Sequence, residues 1–162
     1  LKVHRSRSVR RAKVTTDGEN LVSHAGAGLL CELADRSGLT QAMSVAMANC
    51  GIHWRIHDPG VVLTHLGVAI ANGADCLADM AGLKEQGQLF GPVASTATAW
   101  RALEATTGTQ LEAIPVALAA ARAKVWAVRP PSGEIVIDFD ATLVTSYSEK
   151  EDAKPTYKRG WV

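Results

Sequence analysis

Asp138 and Asp140 stand two apart in the apolar run EIVIDFDATLV, residues 134–144. In an extended run their side chains leave the same face, with Cα atoms roughly 6 to 7 Å apart. Two carboxylates that close can share one cation, or divide the work of nucleophile and proton carrier. Aliphatic and aromatic neighbours make two acids costly to desolvate unless a metal or hydrogen bonds compensate. Oxygen donors of this kind suit Mg²⁺ or Mn²⁺ and phosphate chemistry. A plainer arrangement also satisfies the pattern, with one aspartate in solvent at the strand end and the other capping the next turn.

Cationic groups are unevenly placed. The formal net charge is only +1, yet LKVHRSRSVRRAK, residues 1–13, holds Lys2, Arg5, Arg7, Arg10, Arg11 and Lys13 and no acid. Such a segment can follow a phosphate backbone or be a solvated terminus. Arg101 beside Trp100 offers a guanidinium to phosphates, although a buried Trp100 with Arg101 paired at the surface is the simpler expectation. Arg122 and Lys124 are ambiguous in the same way. Lys158 and Arg159, close in sequence to the aspartates, can hold phosphates or sit in solvent.

Other spacings are weaker. His53 and His57 are four apart, but Arg55 lies between them and Asp58-Pro59 starts a helix there, so an ordinary polar loop explains them better than zinc. Ser23 before His24 is better read as a helix cap than as a nucleophile. Asp75 and Asp79 fit two solvent-facing acids one helical turn apart. Cys31, Cys50 and Cys76 have no paired spacing and read as reduced core residues.

The elements that must position these groups are mostly helical. Of the 162 residues, 47% are apolar, enough for a core. Apolar residues recur at three and four between residues 24 and 128, with caps and breakers between the runs. The expected helices are 24–37 closed by Gly38, 41–50 capped by Thr40 and closed by Gly51, and one from Asp58-Pro59 to Asn72-Gly73. A shorter one covers 74–86. Ser95 caps 96–106, ended by Thr107-Gly108, and 110–128 is expected in two pieces divided at Pro115. RPPSG, residues 129–133, then breaks the pattern, and 134–144 has strand composition. TYKRGWV, 156–162, can return beside it as a hairpin. The ends show no signal peptide pattern and no apolar run of membrane-spanning length, so a cytoplasmic protein is expected.

Two families resemble parts of this pattern. IVIDFDATL is similar to the Asp-x-Asp-Gly-Thr-Leu motif of haloacid-dehalogenase-like phosphatases, with Ala141 where glycine is usual. That resemblance implies Asp138 as nucleophile, Asp140 as general acid and base, and one Mg²⁺. In that family, however, the motif opens a long domain rather than following a helical one. A wider resemblance is to DDE-type bacterial insertion-sequence transposases with a helical N-terminal region and an Asp-x-Asp-Ala-Thr first catalytic motif. It is carried by DGENLVSHAGAGLL (17–30), HDPGVVL (57–63), and GADCLADMAGLKEQGQLFGPVASTATAWRALE (73–104) with its Ser95, Thr98 and Arg101. DFDATLVTSYSEKEDAKPTYKRGW (138–161) completes it.

The transposase resemblance implies a basic arm with a short strand over 1–19 and a helical DNA-associated region over 20–129. Residues 133–162 would be the first strands of a truncated ribonuclease-H-like α/β catalytic domain. It further implies cleavage and joining of transposon-end DNA with Mg²⁺ or Mn²⁺ held by three carboxylates, self-association on DNA, and no membrane. Asp140 takes the first carboxylate's role, with Asp138 as second choice or supporting acid. The later aspartate and glutamate are expected beyond residue 162, so the chain is expected to be an N-terminal fragment, inactive alone. A non-catalytic helical DNA-binding module is the further alternative.

Overall fold

Asp58 and Pro59 open the central helix as the sequence predicts. In the computed structural model, which describes residues 25–51 and 56–140, α3 runs Pro59–Ala71. One Asp58 carboxylate oxygen accepts from the amides of Gly60 (2.9 Å) and Val61 (3.1 Å), while proline occupies a position that needs no donor. Asn72 ends the helix and Gly73, at φ 95°, turns the chain.

Around α3 lie α1 (Ala25–Ser37), α2 (Leu39–Ala46), α4 (Met80–Lys84), α5 (Gly87–Phe90), α6 (Thr96–Glu104) and α7 (Gly108–Val128). A 3₁₀ turn at Leu77–Asp79 leads into α4. α3 packs against α1, α2, α4 and α6, and α7 lies on α2 and α1. The core gathers Val62, Val68, Met80, Leu83 and Phe90 with small residues Ala27, Ala69, Ala99 and Ala102. Each large aliphatic or aromatic side chain buried there contributes about 1.5–3 kcal/mol. Polar residues enter the core by bonding locally: Thr64 donates to the Gly60 carbonyl (2.8 Å) and Ser44 to the Thr40 carbonyl (2.9 Å).

Several expectations change. Thr40 does not cap α2. Gly38, in the left-handed region at φ 79°, joins α1 to α2 with no further linker, and the Thr40 hydroxyl donates to the Asp35 carboxylate at 2.6 Å. α2 stops at Ala46 rather than near Cys50. Thr107 and Gly108 open α7 instead of closing α6. The pattern 110–128 is one continuous helix through Pro115, anchored by buried Gln110 before the proline and by buried Ala117 and Ala121 after it. Packing on both sides offsets the missing backbone bond. Cys31 is buried, but Cys50 is half-buried and Cys76 exposed, so only one of the three is a core residue. Ser23 lies outside the described residues.

The chain divides into two compact units, Leu1–Pro130 and Pro131–Val162. α7 ends at Val128, as the RPPSG breaker predicts. In the second unit, residues 134–140 form no strand among the described residues, and Ile135, Val136, Ile137 and Phe139 are all exposed. A strand exists only through ladder bonds to a partner, and residues 141–162, including the expected return strand, lie outside the described residues. The expected hairpin is thus not seen, and the described architecture is mainly helical.

Candidate functional site

Asp138 and Asp140 are exposed, in a segment whose apolar residues are also exposed. As donors they fit a hard divalent cation in kind, since carboxylate oxygens in ones and twos are what Mg²⁺ takes from a protein. Among the described residues, no cluster of three or more His, Cys, Asp or Glu is arranged to hold a metal ion. Two carboxylates alone would make only part of a coordination shell.

Of the cationic candidates, Arg101 is exposed on α6. Arg5, Arg7, Arg10, Arg11, Lys13, Lys158 and Arg159 lie outside the described residues. The Ser95-x-x-Thr98-x-x-Arg101 pattern has a local structural role in its first two members. Ser95 Oγ caps α6 by accepting from the Thr98 amide at 3.3 Å and lies 3.0 Å from the Thr98 hydroxyl. Arg101, two turns further, contributes nothing to that cap. Trp100 is 55% exposed rather than buried, and no ion pair holds Arg101 among the described residues. Both halves of the simpler expectation for this pair are overturned. On α7, the Arg122 guanidinium sits 5.5 Å from the centre of the Trp126 ring, a cation–π pair. Arg122 also borders an apolar groove of about 550 Å³ between α1, α2, α3 and α7, lined by Leu30, Leu33, Leu63 and Leu118.

The remaining polar motifs are structural. Asp75 and Asp79 are both exposed, as expected, but they do not share a helix: Asp75 precedes the 3₁₀ turn that Asp79 ends. Asp79 Oδ2 accepts from the amides of Asp75 and Cys76, both at 2.9 Å, and from the Cys76 thiol at 3.4 Å. The Cys76 and Asp75 amides, in that order, hold its carboxyl below the ordinary value of 3.8. The folded form thus binds its proton less readily than the unfolded chain does. Stability from this carboxylate is complete above the ordinary aspartate range and is lost as pH falls through the lowered folded value. Asp79→Asn is expected to lower stability at neutral pH, where the carboxylate's contribution is complete, and to change it least in acid, so that the acid limb of the stability curve below about pH 4 flattens. Urea melts at stepped pH check this, and an unchanged acid limb would refute it. His57 is pushed below 6.5, first by burial and then by the Lys84 ammonium. It precedes α3 rather than lying on a helix, and His53 lies outside the described residues.

Among the described residues no helix is long and apolar enough to cross a membrane. Comparison with family models matches residues 4–161 to the model described as Transposase DDE domain group 1. The chain belongs to that family of DDE transposases. Transposition is the family's general function, with DNA as the partner it implies and divalent metals as its usual cofactors. Searches of curated proteins and of solved structures found no match.

Proposed function

We propose that this chain binds transposon-end DNA through its basic arm and helical region, and contributes Asp140 as the first metal-binding carboxylate of strand cleavage and transfer, with Asp138 in support. One observation carries the proposal: the exposed carboxylate pair immediately follows a helical unit, in a chain that matches the transposase model over almost its whole length. The same match favours phosphodiester chemistry over the phosphatase alternative.

Asp138 and Asp140 would hold Mg²⁺ or Mn²⁺ by their carboxylate oxygens, together with the ribonuclease-H-like strands that residues 133–162 would begin. When bound, such a cation supplies Lewis acidity and charge neutralisation for attack on a phosphodiester. In this reading residues 1–162 bind and position DNA, and Asp140 and Asp138 supply part of the metal's ligand set. Arg5, Arg7, Arg10, Arg11 and Lys13 would neutralise backbone phosphates, with Arg101, Lys158 and Arg159 as additional contacts.

Binding of the full chain to a 30-base-pair duplex from the ends of its element tests the DNA reading. Deleting residues 1–13 should weaken binding at least tenfold at about 100 mM salt and reduce the slope of log K against log salt by several units, at about 0.9 for each phosphate no longer neutralised. Equal affinity and equal slope for both forms would remove the arm from the proposal.

A further inference from the structure

Trp100 and Arg101 lie next to each other on the outer side of α6, away from Ala99 and Ala102, which have no exposed surface. Two alanines turned inward let α6 sit close on α3 and leave the large side chains outside. Burying an indole contributes up to about 3 kcal/mol to stability, which a Trp100 that is 55% exposed largely forgoes within this fold. Leu103, one turn on and 39% exposed, extends the apolar surface beside the ring. Among the described residues no carboxylate reaches Arg101 within ion-pair distance, and Glu104 on the following turn makes no bond to it.

A flat π surface with an uncommitted guanidinium beside it matches the two parts of a nucleotide. The ring suits a base face, and the cation suits a phosphate oxygen. Paired duplex hides its base faces, so the ring can be used only by an unpaired nucleotide. The charge argues for this occupant over an apolar protein surface, which would have to bury the Arg101 guanidinium without a partner.

We propose that α6 is a platform for unpaired DNA, with Trp100 stacking on an exposed base and Arg101 holding its phosphate. The proposal rests on DNA being the partner and adds a preference for frayed or single-stranded ends. It assigns Trp100 a role that neither the cap nor the aspartate pair requires.

Fluorescence anisotropy of the full chain with a labelled twelve-nucleotide oligo(dT), and separately with a twelve-base-pair dA·dT duplex, tests it. W100L is expected to lose about tenfold in affinity for the single strand and little for the duplex. W100F, which keeps a ring, retains most of the single-strand affinity, and R101Q lowers the single-strand salt slope by about 0.7. Thermal melts of the variants separate lost binding from lost fold. Unchanged single-strand affinity in W100L, with duplex binding intact, overturns this inference and leaves the DNA reading standing. Failure of the wild-type chain to bind either DNA overturns both. If W100L converts a dimer to a monomer in sedimentation without changing single-strand affinity, the face is a contact between copies and the inference falls.

Discussion

Gly60→Ala is expected to lower the unfolding free energy by about 3 kcal/mol and the melting temperature by roughly 10 °C. A β-carbon at position 60 would fall on the backbone of Met43 and Ser44, where α2 crosses the first turn of α3. A flexible side chain can turn aside from an added methyl group, but a helical backbone cannot. The two helices would have to separate and loosen the packing around Val62, which is almost fully buried in the same turn. Gly67 lies in the same helix, is exposed, and would meet nothing within 4 Å. Gly67→Ala is therefore expected to stabilise by about 0.5–1 kcal/mol through reduced freedom of the unfolded chain and better helix propensity. Urea unfolding of both variants, followed by circular dichroism, separates the cases. Similar small effects at the two sites would show that α2 and α3 do not approach at Gly60.

Asp140→Asn, made in a cleavage-competent transposase containing this sequence, is expected to reduce metal-supported cleavage of transposon-end duplex by more than about hundredfold. Loss of an outer-shell partner alone costs about 10–100-fold at metal sites, and a direct ligand should cost more. Asparagine keeps the shape but removes the negative charge that attracts a hard cation. Asp138→Asn is expected to cost about tenfold if Asp138 supports Asp140 rather than binding metal itself. DNA affinity measured without metal should change little in either variant, which separates a catalytic loss from a binding loss. Reversal of the two magnitudes would exchange the roles, and wild-type cleavage by both variants would sink the assignment.

What can be read from the chain alone follows from how local each cause is. Asp58-Pro59 and Ser95 announce their helices because a cap involves only the next few residues. Pro115 misleads because proline's cost is local while its compensation is not. The helix survives through Gln110, Ala117 and Ala121, whose packing no pattern of neighbours reveals. Cys76 and Trp100 are misplaced by their patterning for the same reason, since apolar character does not say which face a tertiary contact will cover. Asp79 looks like one of two repelling acids because periodicity assumes an unbroken helix, whereas a 3₁₀ turn lets its carboxylate fold back onto two amides. The aspartate pair in the second unit is legible as a spacing. The strand meant to display it is not, because a strand is defined by its partner.

Pro115 also has a mechanical meaning. An α-helix resists bending because successive turns are tied by hydrogen bonds, and proline leaves the carbonyl four residues earlier, at Leu111, without its usual tie. Leu111 is exposed, so water can take that amide's place as hydrogen-bond partner. The first two turns of α7 and its last three then behave as two stiff rods joined by a compliant turn. Gln110 holds one rod to the body, and Ala117 and Ala121 hold the other. Flexure of this helix should concentrate at that turn, so that α7 absorbs distortion in one place and leaves the packed faces on either side unstrained.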